Sequence, residues 1–159
     1  MELEEKIQNQ NPHKGKVHKI LAHSYLFYFF AFLVGLFFDF LFSFKISKEP
    51  TFVFTGIIFI FFGSLLIIWA QKTSRNFKKE EITKKTFSQG PYFFTRTPTH
   101  WGLTFLMLGF GIIANAIFII IFTIISFLIA RFIFIKKEEK ILVQKYGEPF
   151  LEYKKSVKL

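Results

Sequence analysis

Three long stretches of this chain carry almost no charge, and they constrain the fold more than any other feature. Residues 20–44 are interrupted only by Asp39, residues 51–70 carry no charge, and residues 101–135 carry only Arg131. A membrane-crossing α-helix needs ~20 mostly apolar residues to cover a hydrocarbon core of ~30 Å. The first two stretches meet that length. The third is too long for one crossing and fits two helices broken near Asn115, the only Asn or Asp within it. The pattern predicts an all-α, polytopic membrane bundle of four transmembrane helices, at about 20–44, 51–70, 101–114 and 116–135. The last two form a C-terminal helical hairpin, whose first arm is short and therefore tilted or only partly spanning. The first stretch is too long for a cleavable signal peptide, and no small-residue cleavage site follows it.

Charge sets the expected orientation. Residues 71–100 carry seven Lys and Arg, the tail after Ile135 carries seven Lys, and the first 19 residues carry four. The polar turn 45–50 carries two and the turn at Asn115 none. Basic segments stay in the cytoplasm, and only an even number of crossings places all three there. The expectation is a multi-pass protein with both termini cytoplasmic. It has a polar N-terminal segment (1–19) and one membrane domain (20–159), which includes the loop 71–100 and the tail 136–159. A Phe-, Ile- and Lys-rich composition suits a prokaryotic cytoplasmic membrane. The net charge of +10 lies beside membrane ends, where it meets anionic lipid head groups rather than nucleic acid. There is no Cys, which excludes disulfides and thiolate chemistry. His13, His18 and His23 lack metal-ligand spacing with a carboxylate and read as surface residues, so no metal site is expected.

None of the cytoplasmic segments can bury a core of its own, so any site is assembled from loops lying against the helices. The sequence has no P-loop and no G-x-G-x-x-G after a strand. Gly109-Phe110-Gly111 lies in an apolar stretch and reads as close helix packing. Asp39 lies inside the first stretch. An intramembrane carboxylate is a functional candidate, but its place near the outer end lets it reach water.

Two stretches stand out. Residues 90–102, Gly-Pro-Tyr-Phe-Phe-Thr-Arg-Thr-Pro-Thr-His-Trp-Gly, put two Pro, two Gly, four aromatics, an Arg and a His at a membrane entry. Gly90-Pro91 marks a turn, and Pro98 pushes Thr97 toward extended backbone. Such a segment serves either as an aromatic interfacial loop or as the lining of a polar cavity. The second stretch carries Glu138 and Glu139 where the last helix leaves the bilayer; Gly147 then caps it and Pro149 prevents its continuation. The two carboxylates serve either as a solvated Lys/Glu face or as acceptors for a ligand's amine and hydroxyls.

Taken together, these stretches resemble the isoprenylcysteine carboxyl methyltransferase and phospholipid methyltransferase superfamily. The family pattern G-P-Y-x-x-x-R-H-P-x-Y-x-G is met at Gly90, Pro91, Tyr92, Arg96, Pro98 and Gly102. After the hairpin, E-E-x-x-L-x-x-x-F-G-x-x-Y-x-x-Y is met at Glu138, Glu139, Leu142, Tyr146, Gly147, Phe150 and Tyr153. The likeness spans roughly residues 51–157. It implies a membrane methyltransferase using S-adenosyl-L-methionine, with cytoplasmic segments capping the cofactor. It implies cofactor contacts at Phe87, Tyr92, Thr97, Pro98, Thr99, His100, Gly102, Glu138 and Glu139, with residues 84–87 in the lid and Arg96 and His100 as catalytic candidates. The implied acceptor is lipophilic, either lipid-like or a prenylcysteine. Thr97 stands where the family usually has His, His100 where it has Tyr, and Phe134 where the prenylcysteine branch has Arg. Arg131, one turn earlier, becomes the substrate candidate. The missing Arg at Phe134 weakens a prenylcysteine acceptor, while Thr97 and Phe134 together keep a non-enzymatic reading open. Two other readings stand beside this one: an NADPH-dependent reductase of the steroid-reductase type, and a non-enzymatic small membrane protein.

Overall fold

A computed structural model describes residues 12–46, 49–75 and 83–157. The polar residues 1–11, Ser47, Lys48, Lys78 and Lys79, on which parts of the charge argument rest, lie outside the described residues. Helix α1 is Pro12–Phe42 and α2 is Thr51–Arg75. A single helical turn, α3 (Lys84–Phe87), and a 3-10 turn (Gly90–Phe93) follow. Helix α4 is Pro98–Ile113 and α5 is Ile117–Ile129. A π-helical turn, Ala130–Phe134, joins α5 to α6 (Ile135–Tyr146), and α7 is Glu148–Ser156. No strand occurs among the described residues.

Three stretches are long and apolar enough to cross a membrane: Ala22–Phe42, Thr51–Ser74 and Ile117–Tyr146. Helix α4, with 16 residues, is a shorter apolar helix of ~24 Å at 1.5 Å per residue. Of the four crossings expected, three therefore have full length. The reason is local. Pro98 starts α4, and Asn115 turns the chain with φ +55°, a left-handed conformation that Asn tolerates.

Packing runs from α2 to α4, then to α5 and α1. Helices α2 and α4 meet at backbone distance. A Cβ on Gly56 would lie 2.8 Å from the Gly109 carbonyl oxygen, and a Cβ on Gly63 would lie 2.8 Å from that of Gly102. Each pair is seven residues from the other along both helices, so any side chain at these crossings would force the helices apart. Lipid supplies little hydrophobic drive between helices, and small residues let dispersion replace it. Gly109 thus packs on α2, as its place in an apolar stretch implied, while Gly111 packs on Ile119 and Ile120 of α5.

Helix α1 faces inward along a buried stripe of Ser24, Tyr28, Ala31 and Gly35. One turn on, Asp39 accepts hydrogen bonds from the backbone N–H groups of Phe118 (3.1 Å) and Ile119 (2.9 Å). These belong to the first turn of α5, where N–H groups have no helical partner, and Ala116 offers no side-chain cap. Asp39 therefore caps a neighbouring helix rather than simply reaching water. Asn115 Oδ1 accepts from the Ile46 N–H at 2.7 Å, tying the two turns at that end together. The outward faces carry Phe30, Phe40, Phe54, Phe61 and Phe62, all more than half exposed; in lipid that is the solvated surface.

A candidate active site at the membrane edge

Thr97 is the N-cap residue of α4 and Pro98 opens the helix, so His100 and Thr104 share one face, four residues apart. The Thr104 hydroxyl donates to the His100 carbonyl at 2.8 Å. His100 is 1% exposed. On the other wall, the π turn admits an extra residue and re-phases the helix after it. Ile135, Glu138 and Glu139 are buried on the α6 face that results.

The two carboxylates then meet different partners. His100 Nε2 lies 3.3 Å from Glu138 Oε1. Glu139 pairs through Oε1 with Arg96 at 2.5 Å and through Oε2 with Lys154 at 2.7 Å. Thr97 Oγ1 and His100 Nδ1 are buried with no hydrogen-bond partner among the described residues. Burying such atoms unpaired is costly.

Tyrosines ring the carboxylates. The Tyr28 ring lies 5.9 Å from the His100 ring. The Tyr25 and Tyr92 hydroxyls both reach the Thr99 side chain, and Tyr92 also reaches Ser74. Burial, then the neighbouring Tyr25, pushes the Tyr92 phenol up to about 12. Burial likewise raises Tyr153, whose hydroxyl donates to the Tyr92 carbonyl at 2.7 Å. That bond ties α7 to the 3-10 turn. Phe87, Phe150, Tyr153 and Val157 form a buried cluster where α3 and α7 meet.

The structure brings Arg96, Thr97, His100, Glu138 and Glu139 together, with Tyr92 and Thr99 joined through hydroxyls. Pro98 is buried at the start of α4 and sets its direction. The other candidates sit elsewhere. Gly102 faces α2, where a Cβ would lie 2.5 Å from Ile67 Cγ1. Phe87 packs its ring on Tyr146, Phe150 and Tyr153. Arg131 lies on the π turn, and among the described residues no ion pair or hydrogen bond links it to the carboxylates. Sequence reasoning missed Tyr25, Tyr28, Ser74 and Lys154. The α1 stripe was a usable signal for Tyr28, because Ser24, Tyr28, Ala31, Gly35 and Asp39 recur at helical spacing among Phe and Leu. Lys154 had none, since one lysine of a basic tail looks like another.

Fold and site define a helical membrane protein with a buried, two-carboxylate centre where its last long helix leaves the apolar belt. The phospholipid methyltransferase family profile matches residues 51–149, which is more than half of the chain. The chain belongs to that family, a family of methyltransferases within the isoprenylcysteine and phospholipid methyltransferase superfamily. No curated protein and no solved structure matches it. The match takes in the α2–α4 pair and both carboxylates, and leaves α1 and most of α7 outside.

Proposed function

We propose that the protein transfers a methyl group from S-adenosyl-L-methionine to a lipid-like acceptor at the cytoplasmic face of a membrane. The observation that carries this is the buried Glu138–Glu139 pair set against His100 and Arg96, with Thr97 Oγ1 and His100 Nδ1 buried and unpartnered among the described residues. A cofactor with an ammonium group and ribose hydroxyls fits that donor set. The carboxylates hold the cation, Thr97 Oγ1 offers a hydroxyl contact, and Tyr25, Tyr28 and Tyr92 supply aromatic walls. When bound, the cofactor supplies a methyl group activated by a sulfonium.

The chain's own groups then position and exchange protons. Arg96 and Lys154 fix the Glu139 carboxylate from both oxygens. With Nε2–H donating to Glu138, His100 keeps a lone pair on Nδ1, the atom left without a partner. That atom is placed to take the proton an acceptor amine or hydroxyl gives up. Alignment is the main requirement of an in-line displacement, so no protein nucleophile is needed. Four crossings with α4 as the short arm complete the reading. Support comes from the Asn115–Ile46 hydrogen bond, which holds the α4–α5 turn beside the α1–α2 turn.

Calorimetry with S-adenosylhomocysteine on purified protein tests the assignment. Saturable binding is expected for the wild type, with loss of at least about tenfold in affinity for Glu138→Gln and Glu139→Gln, the scale of a charge-assisted bond. No binding by a folded wild type sinks it.

A further inference from the structure

On the outer side of Glu139 and Lys154, a groove of about 590 Å³ opens between α6 and α7. Lys136, Lys140 and Lys154 line it with Gln144, Val143 and Glu139. Its charge is unbalanced. The one carboxylate, Glu139, is already shared with Arg96 and Lys154. Among the described residues no carboxylate pairs with Lys136 or Lys140, which stand four apart on one helix. Like charges at that spacing destabilise a helix, so the arrangement is one that an anion would relieve. Lys154 is held by Glu139 at 2.7 Å and needs no ordering before it meets a ligand.

The place is specific as well as the charge. Lys136 follows the apolar stretch directly, and its ammonium lies 5.6 Å from the Phe132 ring. Phe132 is 62% exposed and Ile133 46%, so the surface just below the groove is a lipid-facing one. The groove mouth therefore sits at the level where lipid phosphates lie. We infer that this groove is a binding site for a phosphate group, held by Lys136 and Lys140 with Lys154 as the third cation. The same chemistry serves a phospholipid head group or a free phosphate ion. The groove shares Glu139 and Lys154 with the centre above, but its test needs no turnover and is read through Lys136 and Lys140, which that reading does not use.

The test follows the thermal midpoint of the full-length protein in neutral detergent, at constant ionic strength. One arm titrates short-chain phosphatidylglycerol and the other inorganic phosphate. A saturable rise with the lipid alone identifies a head-group site, and an equal rise with inorganic phosphate identifies a free-anion site. Either supports the proposal if Lys136→Gln/Lys140→Gln raises the half-saturating concentration about tenfold or more. The charge-keeping pair Lys136→Arg/Lys140→Arg retains binding. Lys45→Gln/Lys72→Gln, which removes the same net charge elsewhere, also leaves it unchanged. No saturable rise in either arm overturns the proposal. So does a rise that survives Lys136→Gln/Lys140→Gln, is lost with the arginine pair, or falls equally in the control.

Discussion

Glu138 and Glu139 are neighbours in the chain, yet they answer to different groups. Glu138 faces His100 inside the bundle, and Glu139 reaches Arg96 and the exposed-side Lys154. A helix turns about 100° per residue, so adjacent carboxylates on one helix can serve two partners. The tyrosine beside them offers a test by pH. An unfolded phenol ionises near 10, while buried Tyr92 resists ionisation until about 12. Its contribution to stability is therefore complete below pH 10 and lost as pH rises from 10 to about 12. The loss is on the order of 2 kcal/mol, and Tyr92→Phe flattens the alkaline fall of the melting temperature by a matching amount. Identical alkaline slopes for the two proteins refute the assignment. Tyr153, raised in the same direction, leaves a residual slope in the variant.

Elements of this bundle are fastened by a few contacts rather than by broad amphipathic faces. The Gly56–Gly109 and Gly63–Gly102 crossings lock α2 to α4. Asp39 fastens α1 to the start of α5 by serving as a cap that α5 lacks. Losing an N-cap acceptor costs about 1 kcal/mol in water-exposed helices. We expect Asp39→Ala to lower stability by at least that much in detergent denaturation. Asp39→Asn keeps one acceptor oxygen, so it should lose clearly less. Equal losses for both would mean that the carboxylate's charge matters rather than its bonds to Phe118 and Ile119. Because α5 runs through the π turn into α6, this cap also bears on where Glu138 comes to rest.

For the whole molecule, the proposed topology makes a prediction that the absence of Cys makes easy to read. Single Cys substitutions at Lys45, Asn115, Lys72 and Lys155 report the side each occupies. A membrane-impermeant maleimide should label positions 45 and 115 in intact cells, and positions 72 and 155 only after permeabilisation. Labelling of 115 with 72, rather than with 45, would show that the 16-residue α4 does not cross. It would also remove the even count that keeps the basic tail inside.

Much of this architecture could be read along the chain. Charge-free length identified the long helices, because the bilayer sets one minimum length for any crossing. Asn115 marked the break in the third stretch, and Gly147-Glu148-Pro149 the end of α6. The motif residues at 90–102 and 138–139 were legible because each depends on a local turn or a helix end. Tertiary structure alone decided the rest. A helix that is apolar all round carries little moment to say which side faces its neighbours. Its rotation is set where two backbones touch, at the α2–α4 glycine crossings and at Gly35 against Ile119 of α5, and where the π turn re-phases α6. Those contacts brought Tyr25 and Tyr28 from outside the family match to the site, turned Gly102 toward α2, and gave Asp39 the α5 terminus. Length and charge are properties of one segment; rotational phase is a property of two helices in contact, and no single stretch of residues contains it.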